Sequence, residues 1–303
     1  MQDNKLQLDV DRLLIRRRDW ESKEFIHLVI CFQSHRKVDV EQMKLSIVIP
    51  AHNEEGCLYS TVINIVNVLY QGSIPHEIII INDNSTDSTA LVCERLCHEH
   101  TTVRFINNEP PNGFGFAIRK GLQEFTGDAV AIMMADGSDD PQDLVTGYIV
   151  LQEGYDCVFG SRFIQGGCVI DYPQHKLFVN RLANRFIQLI FGLQYNDTTN
   201  AFKLYRREVI KGIQPILSHH FNLTVELPLK ALIRGFSYKI IPIKWYDRTT
   251  GISKLKIKEM GSRYLFIVLY VWLEKYLSRG DYHRNKMNSQ VQHSTSEGKK
   301  IRV

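Results

Sequence analysis

Three short runs rich in acids and amides each follow a β-branched run, and their residue types suit the handling of a phosphorylated nucleotide. Pro50-Ala51-His52-Asn53-Glu54-Glu55 follows 45–49, Asn82-Asp83-Asn84-Ser85-Thr86-Asp87-Ser88 closes 77–82, and Met134-Ala135-Asp136-Gly137-Ser138-Asp139-Asp140-Pro141 closes 129–134. Each has a plain structural use. Pro50 and the acids after it suit a helix start. Asp87 is placed to cap the next helix, and Asp140 before Pro141 is a fair N-cap. Those uses explain poorly why three crossovers deliver acids or amides to one sheet edge. Such an edge would serve a nucleotide diphosphate-sugar. Carboxylates and amides would bond base and ribose, and one carboxylate would hold a divalent cation on the pyrophosphate. Without a cation or a set of Arg and Lys, the same edge would repel the ligand.

The runs need a scaffold, and alternating strand and helix supplies it. Continuous apolar runs at 45–49 and 77–82 suit parallel strands buried on both faces. Further strands are predicted at 103–106, 129–134 and 156–159. Apolar positions 58, 62, 65, 66 and 69 predict a helix over 54–69, and helices also fit 115–125, 142–152 and 174–191. The order implies an open, mostly parallel α/β sheet. Ligands of such sheets sit beyond the carboxyl ends of the strands, where the three runs fall.

Composition narrows the rest. The 303 residues, 44% hydrophobic and 23% charged, have ample apolar material for a core, which excludes a mainly disordered or disulfide-scaffold chain. A net charge of +4 is too small to argue for nucleic acid. Six cysteines without a CxxC pair read as reduced thiols of a cytoplasmic protein. No run approaches the roughly 20 apolar residues of a membrane span, and 1–10 is too polar for a signal peptide. The predicted organisation is an N-terminal extension (1–43), a domain (44–260), an amphipathic helix (261–280) and a disordered tail (281–303). Residues 244–279 hold eight basic against three acidic side chains, a net +5, around the apolar run 264–273. Basic residues flanking an aromatic-rich apolar segment suit a helix lying on an anionic membrane surface. A buried helix or an oligomer contact is the competing reading.

Six ordered motifs carry a resemblance. They are IVIPAHNEE (47–55), IINDNSTD (80–87), NGFGFAIRKG (112–121), MADGSDDP (134–141), GSRF (160–163) and DRTTGISK (247–254). Together they resemble the family 2 glycosyltransferases, and within them the dolichol-phosphate mannosyltransferase and polyprenyl-phosphate hexosyltransferase group. The resemblance implies a GT-A fold, a GDP- or UDP-hexose donor, an Mg2+ or Mn2+ ion, and inverting transfer to a polyprenyl or dolichyl phosphate. It further implies a peripheral position on the cytoplasmic face of a membrane. Pro50, His52, Glu54, Ile81, Asp83 and Ala135 fall at nucleotide contacts, and Asp136 with Ser138 at the metal. Arg162, Arg248 and Lys254 fall where basic residues grip donor and acceptor phosphates, and Glu226 falls on an acidic position before the last strand.

The chain departs from the family pattern at three places. Met134 replaces the first acid of the Asp-x-Asp metal motif, Asn82-Asp83 replaces an acid pair, and Ser138 replaces a glutamine. The Gly-rich run at 113 opens a packed helix and is not a dinucleotide site. Two other functions stay open at this level: transfer to a sugar hydroxyl, for which Glu226 or Asp139 would be the base, and nucleotide-sugar binding without turnover, which Met134 alone supports.

Overall fold

The chain folds around β1 (Leu45–Ala51), whose seven residues are all buried. The computed structural model describes residues 42–247 and 257–284. Residues 1–41 of the predicted extension and most of the predicted tail lie outside the described residues, as do Arg248 and Lys254. After β1 come α1 (Leu58–Gln71), β2 (His76–Asn82), α2 (Thr89–Glu99), β3 (Val103–Asn107), α3 (Phe114–Glu124), β4 (Ala129–Ile132) and α4 (Gln142–Gln152). The second half runs β5 (Cys157–Ser161), β6 (Cys168–Ile170), α5 (Gln174–Phe191), β7 (Lys203–Arg206), α6 (Arg207–Gly212), α7 (Leu223–Ile233), β8 (Tyr238–Pro242), β9 (Lys244–Tyr246) and α8 (Ile257–Leu277).

Seven strands form one sheet in the order β3-β2-β1-β4-β7-β5-β8, and β6 pairs with β9 in a small second sheet. The large sheet is mostly parallel, as predicted. The exception is β7, antiparallel to both β4 and β5. Ile-rich runs make central strands because both faces are covered. Ile47 and Ile49 pack with Leu58, Val62 and Ile65 of α1 on one face. Val48, Ile79 and Ile81 pack with Ala117, Ile118 and Leu122 of α3 on the other. Each such side chain is worth about 1.5–3 kcal/mol on full burial.

A third apolar cluster joins α5 (Ile187, Phe191), α7 (Val225, Leu229) and α8 (Ile267, Val268, Val271). α8 starts at Ile257, inside the predicted 44–260 domain, and its inner face is buried against that body. Its outer face is not: Leu265, Phe266, Leu269, Leu273, Tyr276 and Leu277 are all exposed. The buried-helix and surface-helix readings thus describe two faces of one element. Among the described residues no helix is long and apolar enough to cross a membrane.

The α1 start differs from expectation. The helix begins at Leu58 rather than 54, with no acid in its first turn. Glu54 and Glu55 instead belong to the loop, where the backbone N–H of Glu54 donates to Thr89 Oγ1 and that of Glu55 to Asp87. Asp140 accepts from the Gln142 N–H at 3.0 Å, the capping contact foreseen for it.

Candidate active site

The three acid-bearing loops leave the carboxyl ends of β1, β2 and β4, which are neighbours in the sheet. Asp83 is the best-held of their acids. Its Oδ1 accepts from Asn108 Nδ2 and its Oδ2 from the Gly113 N–H, both at 2.8 Å. Gly113 has φ +143°, a backbone that side-chain-bearing residues rarely adopt. His52 Nδ1 lies 2.7 Å from the Asp83 carbonyl oxygen. A carbonyl only accepts, so Nδ1 carries the proton. Loops β1–α1 and β2–α2 are therefore tied into one rim, with His52 and Glu54 half-buried in it.

Pro50 lies within the buried strand β1. Two expected nucleotide contacts need correction. Ile81 is 0% exposed and packs in the core, so its side chain cannot reach a ligand. Ala135 is also buried, and its carbonyl oxygen accepts from Thr61 Oγ1 at 3.0 Å. A contact from either position would have to come from the backbone.

Beyond β4, Asp136 accepts the Ser138 N–H on Oδ1 at 3.1 Å. Ser138 is buried, and its carbonyl takes the Tyr246 N–H, so Ser138 positions Asp136 through its main chain. Asp139 accepts the Met134 N–H on Oδ2 at 3.0 Å, while its buried Oδ1 has no hydrogen-bond partner. Burial pushes the Asp139 carboxyl up to about 7, and the neighbouring Asp136 charge pushes the same way. Beneath it, burial pushes the Lys203 ammonium down to about 7, its Nζ held by the Thr198 and Asn200 carbonyls.

Arg162 arrives from the end of β5 and is 7% exposed. Asp197 meets it with both oxygens: Nε to Oδ2 at 2.8 Å, Nη2 to Oδ1 at 2.7 Å, and the Arg162 N–H to Oδ2 at 3.0 Å. The guanidinium also lies over Phe163 and Trp245. Its charge is largely answered by Asp197, so the structure gives Arg162 a fixed position rather than an unopposed charge. Asp197 was not foreseen; the polar run 197–200 that carries it had no periodicity to betray it.

Glu226 departs furthest from its expected role. It is 0% exposed, accepts the Leu217 and Ser218 N–H groups at 2.8 and 2.6 Å, and pairs with Lys230 at 2.7 Å. A carboxylate so enclosed and so fully bonded braces the 217–222 loop and cannot take a proton from a substrate. Of the expected site residues, the structure brings His52, Glu54 and Asp83 into one rim and Asp136 with Ser138 into a second loop. It does not bring Glu226 or the Ile81 side chain to that edge.

The fold and edge agree with known proteins. The model of the family described as "Glycosyl transferase family 2" matches residues 46–213. The chain is a family 2 glycosyltransferase. The transferase is 28% identical over 215 residues to polyprenol monophosphomannose synthase of Mycolicibacterium smegmatis, covering 69% of this chain and 80% of that protein. It is 30% identical over 222 residues to dolichol-phosphate mannosyltransferase of Pyrococcus furiosus, covering 71% of this chain and 60% of that longer one. Among solved structures, glucosyl-3-phosphoglycerate synthase of Mycobacterium tuberculosis, in complex with Mn2+, UDP and phosphoglyceric acid, superposes with TM-score 0.58 at 17% identity, covering 86% and 84% of the two chains. That likeness shows the GT-A fold.

Among the described residues no three His, Cys, Asp or Glu side chains gather as a metal cluster. The donor set nevertheless fits one class of ion. Mg2+ is commonly held by one or two carboxylates with substrate phosphate supplying the rest. Asp136 and the orphaned Asp139 Oδ1 are such a set.

Proposed function

We propose that this transferase moves a hexose from a GDP- or UDP-sugar to a polyprenyl or dolichyl phosphate, working peripherally on the cytoplasmic face of a membrane. The observation that carries the reading is that two relatives, each spanning more than two thirds of this chain, bear names for mannosyl transfer to such lipids. The enclosure of Glu226 supports it. A sugar hydroxyl needs a general base, whereas a phosphate monoester is already ionised near pH 7. Glu226, one candidate base, is 0% exposed and already bonded to the Leu217 and Ser218 N–H groups and to Lys230.

In the proposed reaction an acceptor phosphate oxygen bonds to the anomeric carbon as the bond from that carbon to the donor diphosphate breaks, and nucleoside diphosphate leaves. His52, Glu54 and Asp83 would orient base and ribose. Asp136, with Ser138 fixing it, would hold Mg2+ or Mn2+, which when bound neutralises the diphosphate. Arg162 would present its guanidinium in an orientation set by Asp197, and Arg248 and Lys254 are proposed to share the phosphates with it. Positioned charge of this kind is worth several kcal/mol in a dry site.

The lipid would reach the site from α5 and α8. Phe178, Leu182, Phe186 and Leu189 of α5 are exposed, like the outer residues of α8. Lys176, Arg185, Lys275 and Arg279 belong to or directly follow the same helices, which suits an anionic surface. Mass spectrometry of lipid extracts, after incubation with a panel of nucleotide-sugars and polyprenyl phosphate, tests the proposal. A hexosyl-phospholipid supports it. Glycosylation of free sugar hydroxyls with no lipid product overturns it.

A further inference from the structure

The small sheet of β6 and β9 has no part in the roles above, yet it spans the site. β7 separates β4 from β5 in the large sheet, so the Asp136–Asp139 loop and Arg162 leave strands that are not neighbours. β9 crosses that gap. On the β4 side its Trp245 forms an antiparallel bridge with Asp139, and the Tyr246 N–H donates to the Ser138 carbonyl at 3.0 Å. On the β5 side the N–H of Ile243, the residue before β9, donates to the Ser161 carbonyl at 3.1 Å. β6 completes the frame by pairing Val169 with Trp245. Its approach requires Gly167, where a Cβ would lie 2.6 Å from the Ser161 oxygen.

The Trp245 side chain makes a second link across the gap. The Arg162 guanidinium carbon lies 5.7 Å from its ring centroid, and Tyr172 meets the same ring edge-on at 5.0 Å and 81°. Asp197 takes Arg162 Nε and Nη2. Nη1 makes no hydrogen bond within the described residues and, unlike the sealed polar atoms of the core, keeps accessible surface. It is the donor left to meet a phosphate. A bidentate carboxylate fixes one edge of a guanidinium, and an aromatic ring against its plane limits the tilt about that edge.

We propose that Trp245 is a positioning residue of the transferase. Its main chain holds Asp139 and its ring holds the plane of Arg162, so the cation loop and the arginine keep one spacing across β7. A diphosphate gripped from both sides gains most from that spacing as its charge builds in the transition state, so the effect falls on kcat. Trp245 touches no reacting atom in this role; it acts through Arg162. The proposal rests on the reading of Arg162 as a phosphate contact, and the test separates the two.

Turnover of the full chain is measured with GDP-mannose or UDP-glucose as donor and a short-chain polyprenyl phosphate as acceptor. Trp245→Leu keeps the main chain and apolar bulk but removes the π face, so kcat should fall about tenfold. KM for the donor and Mg2+-dependent nucleoside diphosphate affinity should stay within about twofold. Trp245→Phe keeps a π face and should stay within about threefold of wild-type kcat. Tyr172→Leu, which frees the ring from behind, should lower kcat about threefold, and it serves where Trp245→Leu does not fold. Arg162→Ala removes the partner of the ring, so adding Trp245→Leu to it should cost less than about twofold more. Unchanged kcat in Trp245→Leu, a Trp245→Phe chain equally slow, or losses that multiply in the double variant would overturn the proposal. Slow Arg162→Ala beside normal Trp245→Leu overturns it and leaves the Arg162 reading standing. Normal turnover in both overturns that reading as well.

Discussion

Glu77, at the amino end of β2, and Asp139, beyond the carboxyl end of β4, are buried acids of the same sheet with 7% and 5% exposure, and they are satisfied very differently. Glu77 Oε1 accepts from Ser46 Oγ, the Thr126 N–H and Thr126 Oγ1 at 2.6–2.8 Å, and Oε2 pairs with Arg104 at 3.3 Å. Burial alone would raise its pKa, but those donors and the Lys44 charge outweigh it and bring it down to about 2. Asp139 has one donor, an orphaned oxygen and a like charge beside it, and burial lifts it to about 7. A saturated buried carboxylate joins strands to a loop. An under-satisfied one, at the carboxyl edge of the strands, is a candidate position for a ligand contact.

Four variants would break or sharpen that contrast. The largest effect belongs to the ligand end: Asp136→Ala should cut transfer about 10³-fold, in line with losing a preorganised electrostatic contact. The thermal midpoint should barely move, and chelator should mimic the variant. Near-normal turnover in either condition would remove Asp136 from the site.

Glu77→Gln should do the reverse. It leaves transfer per folded molecule unchanged and costs about 2–4 kcal/mol in urea unfolding, because Arg104 and Lys44 lose their counter-charge. The sign with pH follows from the depressed value. The Glu77 contribution is present above its ordinary value of 4.5 and is lost as pH falls toward 2. Acid titration of wild type should therefore show a stability loss in that window that Glu77→Gln lacks.

Arg162→Lys is expected to lower transfer to polyprenyl phosphate about 10- to 100-fold, because a point charge cannot occupy both oxygens of Asp197 and keep its orientation. Nucleoside diphosphate affinity, read by titration calorimetry, should change little. The smallest effect is at the membrane face. Leu182→Ser with Phe186→Ser should leave stability within about 0.5 kcal/mol, since both side chains are exposed. The pair should reduce flotation with anionic vesicles several-fold, and wild-type flotation should fall as salt rises. A wild type that never floats would return α5 and α8 to a protein contact.

The sheet was legible because its signal is local. Ile-rich runs at 77–82 and the spacing 58, 62, 65, 66, 69 report burial on two faces and on one, and four parallel strands with their helices follow from them. The antiparallel β7 was not legible: KLYR carries too short a run to state its direction. The acidic edge was readable from Asp83 and Asp136, acids placed directly after strands. What held them was not. Asn108 and Asp197 act across 25 and 35 residues of chain, and no spacing rule reaches that far. Glu226 misled for the same reason, since its acid type was visible while the Leu217 and Ser218 N–H groups that consume it were set by a folded loop.

The central claim is that the carboxyl edge around Asp136 and Asp139 binds a nucleoside diphosphate with a divalent cation. Titration calorimetry of GDP and UDP, with and without Mg2+ or Mn2+, into wild type, Asp136→Asn and Glu77→Gln tests it most directly. Binding of at least one diphosphate should require the cation, should be lost in Asp136→Asn and should persist in Glu77→Gln. Cation-independent binding that survives Asp136→Asn would contradict it.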